Sequence, residues 1–303
     1  DKVLKNDQAS DREILKAWIT KGRALRQDDR AAESLPCFAY VLLKDEKNII
    51  ALKEKAMSHE DLGEFYEALK CYEDLLKIDG QDDVILNRIA ICYCDQKMAK
   101  YDKAISYLEQ VLAIDDKNNL ALSNMGFCYE QKGENRKALL YFSKNVSSDF
   151  SLMHKANLYF EEGDDDDAFD AVQKLIKLGK ADYWHYYIAG ENLRGKKKYD
   201  EAIAFLVKSL IREESANAYC SLGYCYAEIK REDLAILYYE KGLDKNIKNA
   251  GEKTYARINL GLMYSDKEEY ELALKHFENA DCDAIVLETG LGGRLDATNI
   301  VQP

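Results

Sequence analysis

The sequence predicts an all-α solenoid of about eight helix–turn–helix repeats, and three observations carry the prediction. A small residue returns at Gly22, Ala56, Ala90, Gly126, Ala156, Gly190, Gly223 and Gly261, at a period of roughly 34. A second small residue follows each, at Ser34, Ala68, Ala104, Ala138, Ala168, Ala202, Ala235 and Ala273, and one helical turn later a bulky apolar residue sits at Phe38, Tyr72, Leu108, Phe142, Val172, Leu206, Tyr239 or Phe277. Only two prolines occur, Pro36 and Pro303, so almost nothing between them interrupts a helix.

Repeats start near residues 15, 49, 83, 119, 149, 183, 216 and 254, after a lead-in of residues 1–14. The first is marked by Gly22, Leu25, Ser34 and Phe38, and the second by Ala56, His59, Ala68 and Tyr72 with a turn at Gly63. The third, Ala90 to Leu108, carries added residues around Met98 to Lys100. In the fourth, Leu122, Met125, Gly126 and Tyr129 fall on one face of a first helix, Gly133 marks the turn, and Lys137 to Phe142 begins the second helix. The fifth, with a turn at Gly163, follows a contraction near Val146 to Asp149. The sixth and seventh run through Gly190 to Leu206 and Gly223 to Tyr239, and the eighth, Gly261 to Phe277, follows an expansion near Asn246 to Glu252. Length changes confined to turns are what stacked repeats tolerate. The small residues mark helix crossings, where only Gly, Ala or Ser allows close approach of the axes. A large side chain at Ala138 or Ala202 is expected to overpack the crossing at a cost of about 1–3 kcal/mol.

Composition narrows the function. A net charge of −12 disfavours nucleic acid, whose phosphates require clustered Lys and Arg. The one basic run, Arg194 to Lys198, reads as a solvated turn, as does the acidic run Asp164 to Asp167, whose spacing does not match a calcium-binding EF-hand loop. The eight cysteines, Cys37, Cys71, Cys92, Cys94, Cys128, Cys220, Cys225 and Cys282, include no C-x-x-C pair and no accompanying histidine cluster. Most fall among apolar residues on helices, and they read as free thiols in a reducing, cytoplasmic compartment. No apolar run of about 18 residues predicts a membrane span, and the opening residues lack the apolar core of a signal peptide. The chain opens on Asp1 rather than Met, as a fragment or processed chain would. No catalytic constellation, metal site or cofactor site is expected.

The pattern Leu122-x2-Met125-Gly126-x2-Tyr129…Ala138-x3-Phe142 resembles the tetratricopeptide repeat, and the resemblance extends over roughly residues 15–280. It departs from that pattern in having its opening Trp only at Trp18 and no closing Pro. The resemblance implies a right-handed superhelix whose concave surface, lined by first helices, holds a peptide or another protein. Groove positions are then Asn87 and Arg88; Ser123, Asn124 and Phe127; Met153, His154 and Asn157; Trp184, Tyr187 and Glu191; Asn217, Ser221 and Tyr224; and Ile258 and Asn259. Amides on such a surface serve an extended backbone, and aromatics give contact area at low entropic cost. A chaperone-carboxylate clamp is not expected, because the second repeat offers Glu54 and Met57 where such a clamp needs polar or basic contacts. A peptide-sensing regulator is an alternative on the same fold.

Periodicity stops after Ala280. Ala284 to Leu287 reads as a short buried strand and Gly290, Gly292 and Gly293 as a loop, giving a short non-helical tail over 281–303. Leu287-Glu-Thr-Gly-Leu-Gly-Gly-Arg-Leu-Asp-Ala-Thr-Asn299 resembles a segment of folylpolyglutamate synthase, of the Mur ligase group. That resemblance implies an association of Glu288 with a nucleotide's magnesium and makes a fused or truncated ATP-dependent ligase component a further alternative. No G-x-x-x-x-G-K-[ST] loop accompanies it, and Glu288 and Arg294 alone cannot hold a nucleotide. A tethered apolar strand also has the local concentration needed for self-association through a neighbouring molecule's groove.

Overall fold

A computed structural model describes residues 10–80, 82–145, 148–245 and 250–280. The tail over 281–303, with Cys282, Glu288 and Arg294, lies outside the described residues, as do Val146 and Ser147 of the fifth repeat's contraction and residues 246–249 of the eighth's expansion. The expected strand at 284–287 and self-association through the tail therefore fall outside them too. The described residues form sixteen α-helices and no strand, and the chain divides into two compact units, residues 1–154 and 155–303.

The first unit contains α1 (Asp11–Gln27), α2 (Ala31–Lys44), α3 (Ile49–Asp61), α4 (Phe65–Asp79), α5 (Asp83–Cys94), α6 (Tyr101–Ile114), α7 (Asn119–Gln131) and α8 (Asn135–Lys144). Helix α9 (Asp149–Glu162) spans the division. The second unit continues with α10 (Asp165–Lys177), α11 (Tyr183–Gly195), α12 (Tyr199–Arg212), α13 (Ala216–Glu228), α14 (Glu232–Asp244), α15 (Ala250–Asp266) and α16 (Tyr270–Glu278). Odd-numbered helices are the first helices of repeats and even-numbered ones the second. Helix α1 starts ahead of residue 15 because Ser10 accepts from the Glu13 amide while the Glu13 carboxylate takes the Ser10 amide, a reciprocal cap. Several later first helices also begin on a side-chain cap, reciprocal only at Asp182. Asn48 and Asn118 accept at 3.0 Å from the amides of Ala51 and Ala121, and Asp82 and Asp182 cap α5 and α11. Pro36 lies within α2, where it removes one backbone hydrogen bond without ending the helix.

In the repeats whose two helices lie within one unit, the second helix packs against its own first helix, and all but the last second helix of each unit also pack against the next repeat's first helix. The two small residues mark the crossing, and all eight second-position residues are buried. Five of the first positions are glycine, and each faces the large residue of its own repeat. A Cβ at Gly22, Gly126, Gly190, Gly223 or Gly261 would lie 2.5–2.8 Å from the side chain of Phe38, Phe142, Leu206, Tyr239 or Phe277. Two of the three repeats with alanine there pair it with the smaller Leu108 and Val172. The remaining one, Ala56, accommodates the fully buried Tyr72.

The turn between paired helices is also uniform. Seven residues have positive φ at the same place in their repeats: Asp29, Gly63, Gly133, Gly163, Lys197, Lys230 and Glu268. Each turn closes with two backbone bonds of one pattern, as where the Gly133 amide donates to the Glu130 carbonyl and the Glu134 amide to that of Tyr129. The third repeat differs. Its added residues form a wider turn in which Ala99 has the positive φ, Met98 is buried, and the Lys100 amide returns to the Tyr93 carbonyl.

Candidate functional site

The faces of the first helices left uncovered by second helices carry the groove positions, and the two units fill them with different chemistry. In the first unit the face is built of ion pairs between successive repeats. Glu54 on α3 receives Arg23 Nε at 2.5 Å and an Arg26 terminal nitrogen at 3.3 Å, and Arg26 also reaches Asp61 at 3.2 Å. Arg88 on α5 pairs with Glu60 on α3 at 3.1 Å, and the Cys92 thiol donates to the other Glu60 oxygen at 3.5 Å. Burial raises the Glu60 pKa, and Arg88 opposes that rise. Glu130 on α7 lies 2.5 Å from His154 Nδ1, and the imidazole also packs among Phe127, Phe142 and Phe150.

Of the expected groove residues in this unit, Arg88, Phe127 and His154 reach this face. Asn87 does not: it is buried and donates to the Asp83 carbonyl one turn back, so it stabilises its own helix. Ser123 is likewise buried, sharing a 3.0 Å hydrogen bond with Ser151 and accepting from Asn145. Asn124 is half-buried, with its amide nitrogen enclosed and without a partner among the described residues.

The second unit presents rings. Phe160 on α9 meets Trp184 edge-on at 5.7 Å, Trp184 stacks on Tyr187 at 5.1 Å, and the indole donates to Asn157 Oδ1 at 3.1 Å. Farther along, Tyr224 on α13 contacts Tyr199 and Tyr255, each at about 6 Å between centroids. The Arg194 guanidinium lies 5.1 Å over the Tyr224 ring and is held by two hydrogen bonds to Glu191, at 3.0 and 2.6 Å. Burial works against the Arg194 charge, but the Glu191 bonds outweigh it and its pKa rises. Arg194 is thus no part of a solvated turn, unlike the lysines that follow it. The acidic run differs from its reading too, since Asp165 to Asp167 form the first turn of α10, where a helix dipole favours them.

Tyr187 is only 6% exposed, its ring serving as backing for Trp184 rather than as open surface. Ser221 is also buried. Asn157 and Tyr224 remain half-buried on this face, and Asn259 donates to the Tyr255 carbonyl at 2.8 Å within α15. Tyr255 and Leu262 on α15, 47% and 48% exposed, stand outside the expected groove positions although Tyr255 holds the same place in its repeat as Trp184. Among the described residues no group of three or more His, Cys, Asp or Glu side chains is placed to hold a metal ion, and no helix is long and apolar enough to cross a membrane.

Tetratricopeptide-repeat family models match residues 54–82, 85–120 and 216–244. A tetratricopeptide repeat protein from Parabacteroides merdae is similar in structure, with a TM-score of 0.54 and 19% identity over 86% of this chain and 99% of that one. The C-terminal part of a repeat-containing protein from Cytophaga hutchinsonii aligns with a TM-score of 0.58 and 22% identity, over 75% of this chain and 94% of that one. At such identities these two likenesses concern the fold alone. An uncharacterized protein of Guillardia theta, ycf37, is 37% identical over 79 residues, which is 24% of this chain, and this chain covers only 44% of that relative's length. The matched segments fall in both units, and each coincides with a helix pair: over these segments the chain is similar to tetratricopeptide repeats, and its described residues repeat that helix-pair geometry.

Proposed function

We propose that the chain is a non-catalytic scaffold for protein interaction, and that it holds an extended, largely uncharged segment of a partner protein against the first-helix face of its second unit. The observation that carries this reading is the set of rings on that face, from Phe160 and Trp184 to Tyr224 and Tyr255, with Tyr255 and Leu262 half-exposed beside them. Exposed apolar surface of this kind is costly unless something covers it, and rigid aromatic anchors bind with little loss of entropy. Glu191 already neutralises Arg194, the cation set over the Tyr224 ring, which favours an uncharged segment there. The first unit supports binding less well, since Arg23, Arg26 and Arg88 on its face are already paired with Glu54 and Glu60. The free thiols of Cys37, Cys71, Cys92, Cys94, Cys128 and Cys225 fit a reducing compartment such as the cytoplasm.

The two tryptophans make this testable. In Trp18→Phe the indole of Trp184 becomes the sole reporter, and peptides selected from a random library on the immobilised chain can be titrated against it. Saturable quenching or shift of its emission is expected, with affinity falling about 5–30-fold in Tyr255→Ala, the range of a single aromatic anchor. Selected peptides that bind without perturbing Trp184 and ignore Tyr255→Ala would refute the placement.

A further inference from the structure

Two thiols of the first unit touch. Cys94 is the last residue of α5 and Cys128 lies within α7, and their sulfur atoms are 3.0 Å apart in a thiol–thiol hydrogen bond. A disulfide requires about 2.05 Å between sulfurs, so closure needs a movement of roughly one ångström. The two differ in access: Cys128 is fully enclosed, whereas Cys94 is half-exposed at a helix end and followed by the wide turn of the third repeat. The neighbouring Cys92 is directed elsewhere, to Glu60. We propose that Cys94 and Cys128 form an oxidation site that closes to a disulfide when a hydroperoxide reaches Cys94.

The chemistry balances without help from any other group. The Cys94 thiolate attacks one peroxide oxygen and the O–O bond breaks, leaving a sulfenic acid on Cys94 and releasing an alcohol, or water from hydrogen peroxide. The Cys128 sulfur then attacks the sulfenyl sulfur. The S–S bond forms, the S–O bond breaks, and hydroxide departs with the Cys128 proton as water. The two thiols lose two electrons and two protons, all of which the hydroperoxide accepts. The hydrogen bond to Cys128, and then burial, hold the Cys94 thiol well above the ordinary thiol range. Thiolate is therefore scarce at neutral pH, and the pair stays reduced until the oxidant is abundant or persistent. Once formed, the bond ties α5 to α7 and encloses α6 in a covalent loop, joining the first helices of the third and fourth repeats. A closed loop of this length restricts the unfolded chain and raises the melting temperature. This inference rests on the first unit alone and is independent of where a partner binds.

The full chain, folded and treated with hydrogen peroxide, is then alkylated under denaturing conditions, digested and analysed by mass spectrometry. The expected product is a peptide pair linked through Cys94 and Cys128 and lighter by two hydrogens, together with a rise of several degrees in melting temperature that reductant reverses. The link should vanish in Cys94→Ser and in Cys128→Ala and persist in Cys92→Ala. If Cys128→Ala does not fold, Cys94→Ser, at the more exposed partner, decides alone. Linkage scattered among other cysteines, a link that survives Cys94→Ser, or Cys94 carried on to sulfinic acid with Cys128 untouched would each overturn the proposal.

Discussion

Gly126 faces the ring of Phe142 with no room for a methyl group: a Cβ at 126 would stand 2.6 Å from the ring carbons. Both lie in the fourth repeat, where the ring is fully buried and has nowhere to retreat. Gly126→Ala is expected to destabilise the first unit by about 1–3 kcal/mol despite the better helix propensity of alanine. Phe142→Leu added to it should recover part of that loss, since the two changes share one contact. Urea melts of the two single variants and the double variant measure the coupling, and a single variant as stable as the parent would contradict the crossing geometry.

At Lys230 the backbone has φ of 60°, in a conformation that glycine adopts without penalty and lysine does not. Lys230→Gly should stabilise the second unit by about 0.5–1 kcal/mol, the strain relieved less the entropy glycine loses on folding. The reverse change at Gly133, to Ala, should cost about 1 kcal/mol. Denaturation midpoints report both, and a loss of stability in Lys230→Gly would mean that contacts of the lysine outweigh its backbone strain.

His276 stacks on Tyr264 at 5.6 Å, and burial lowers its pKa below the ordinary 6.5, with Arg257 and Lys275 adding to the fall and Glu240 opposing it. The unfolded chain therefore holds this proton more tightly than the folded one. Its contribution is fully present above the unfolded value and is lost as pH falls through the folded one. His276→Phe keeps the stack and removes the titration. Thermal melts from about pH 7 down to pH 5 should show a smaller decline for the variant than for the parent. Parallel declines would remove His276 from the account.

Tyr187 and Tyr255 separate packing from surface. Tyr187, 6% exposed, supports Trp184, and Tyr187→Ala should cost about 3–5 kcal/mol by leaving a cavity. Tyr255, 47% exposed, should change stability by no more than about 0.5 kcal/mol when truncated. Guanidinium melts of the two variants test the contrast, which equal losses would erase.

The helix pairs were legible because their signal is repeated and local: Gly126, Ala138 and Phe142 share a crossing, and a small, small, large pattern recurs at the same places in every repeat. The turns at Asp29, Lys230 and Glu268 were not, since a side chain there conceals a conformation that two closing backbone bonds impose. The candidate site was less legible still. Asn87 and Tyr187 have the right spacing for an uncovered face, yet adjoining elements cover them, and a helical period cannot distinguish solvent from a neighbouring helix. The partnership of Arg23 and Arg26 with Glu54, and of Arg88 with Glu60, joins residues of different repeats and exists only once those repeats stack. Arg194 was hidden in a basic run whose lysines do face water, and only the position of Tyr224 shows why it does not.

The reciprocal charges on the first-helix face of the first unit tie one repeat to the next and leave few charges there unpartnered. A guest presenting only acids, or only bases, would engage Arg88 or Glu60 only by breaking their pair, leaving Arg88 to water or the enclosed Glu60 with the Cys92 thiol in place of a cation. A segment carrying both signs, spaced to replace each member of a couple in turn, is the one such a face would admit at least cost.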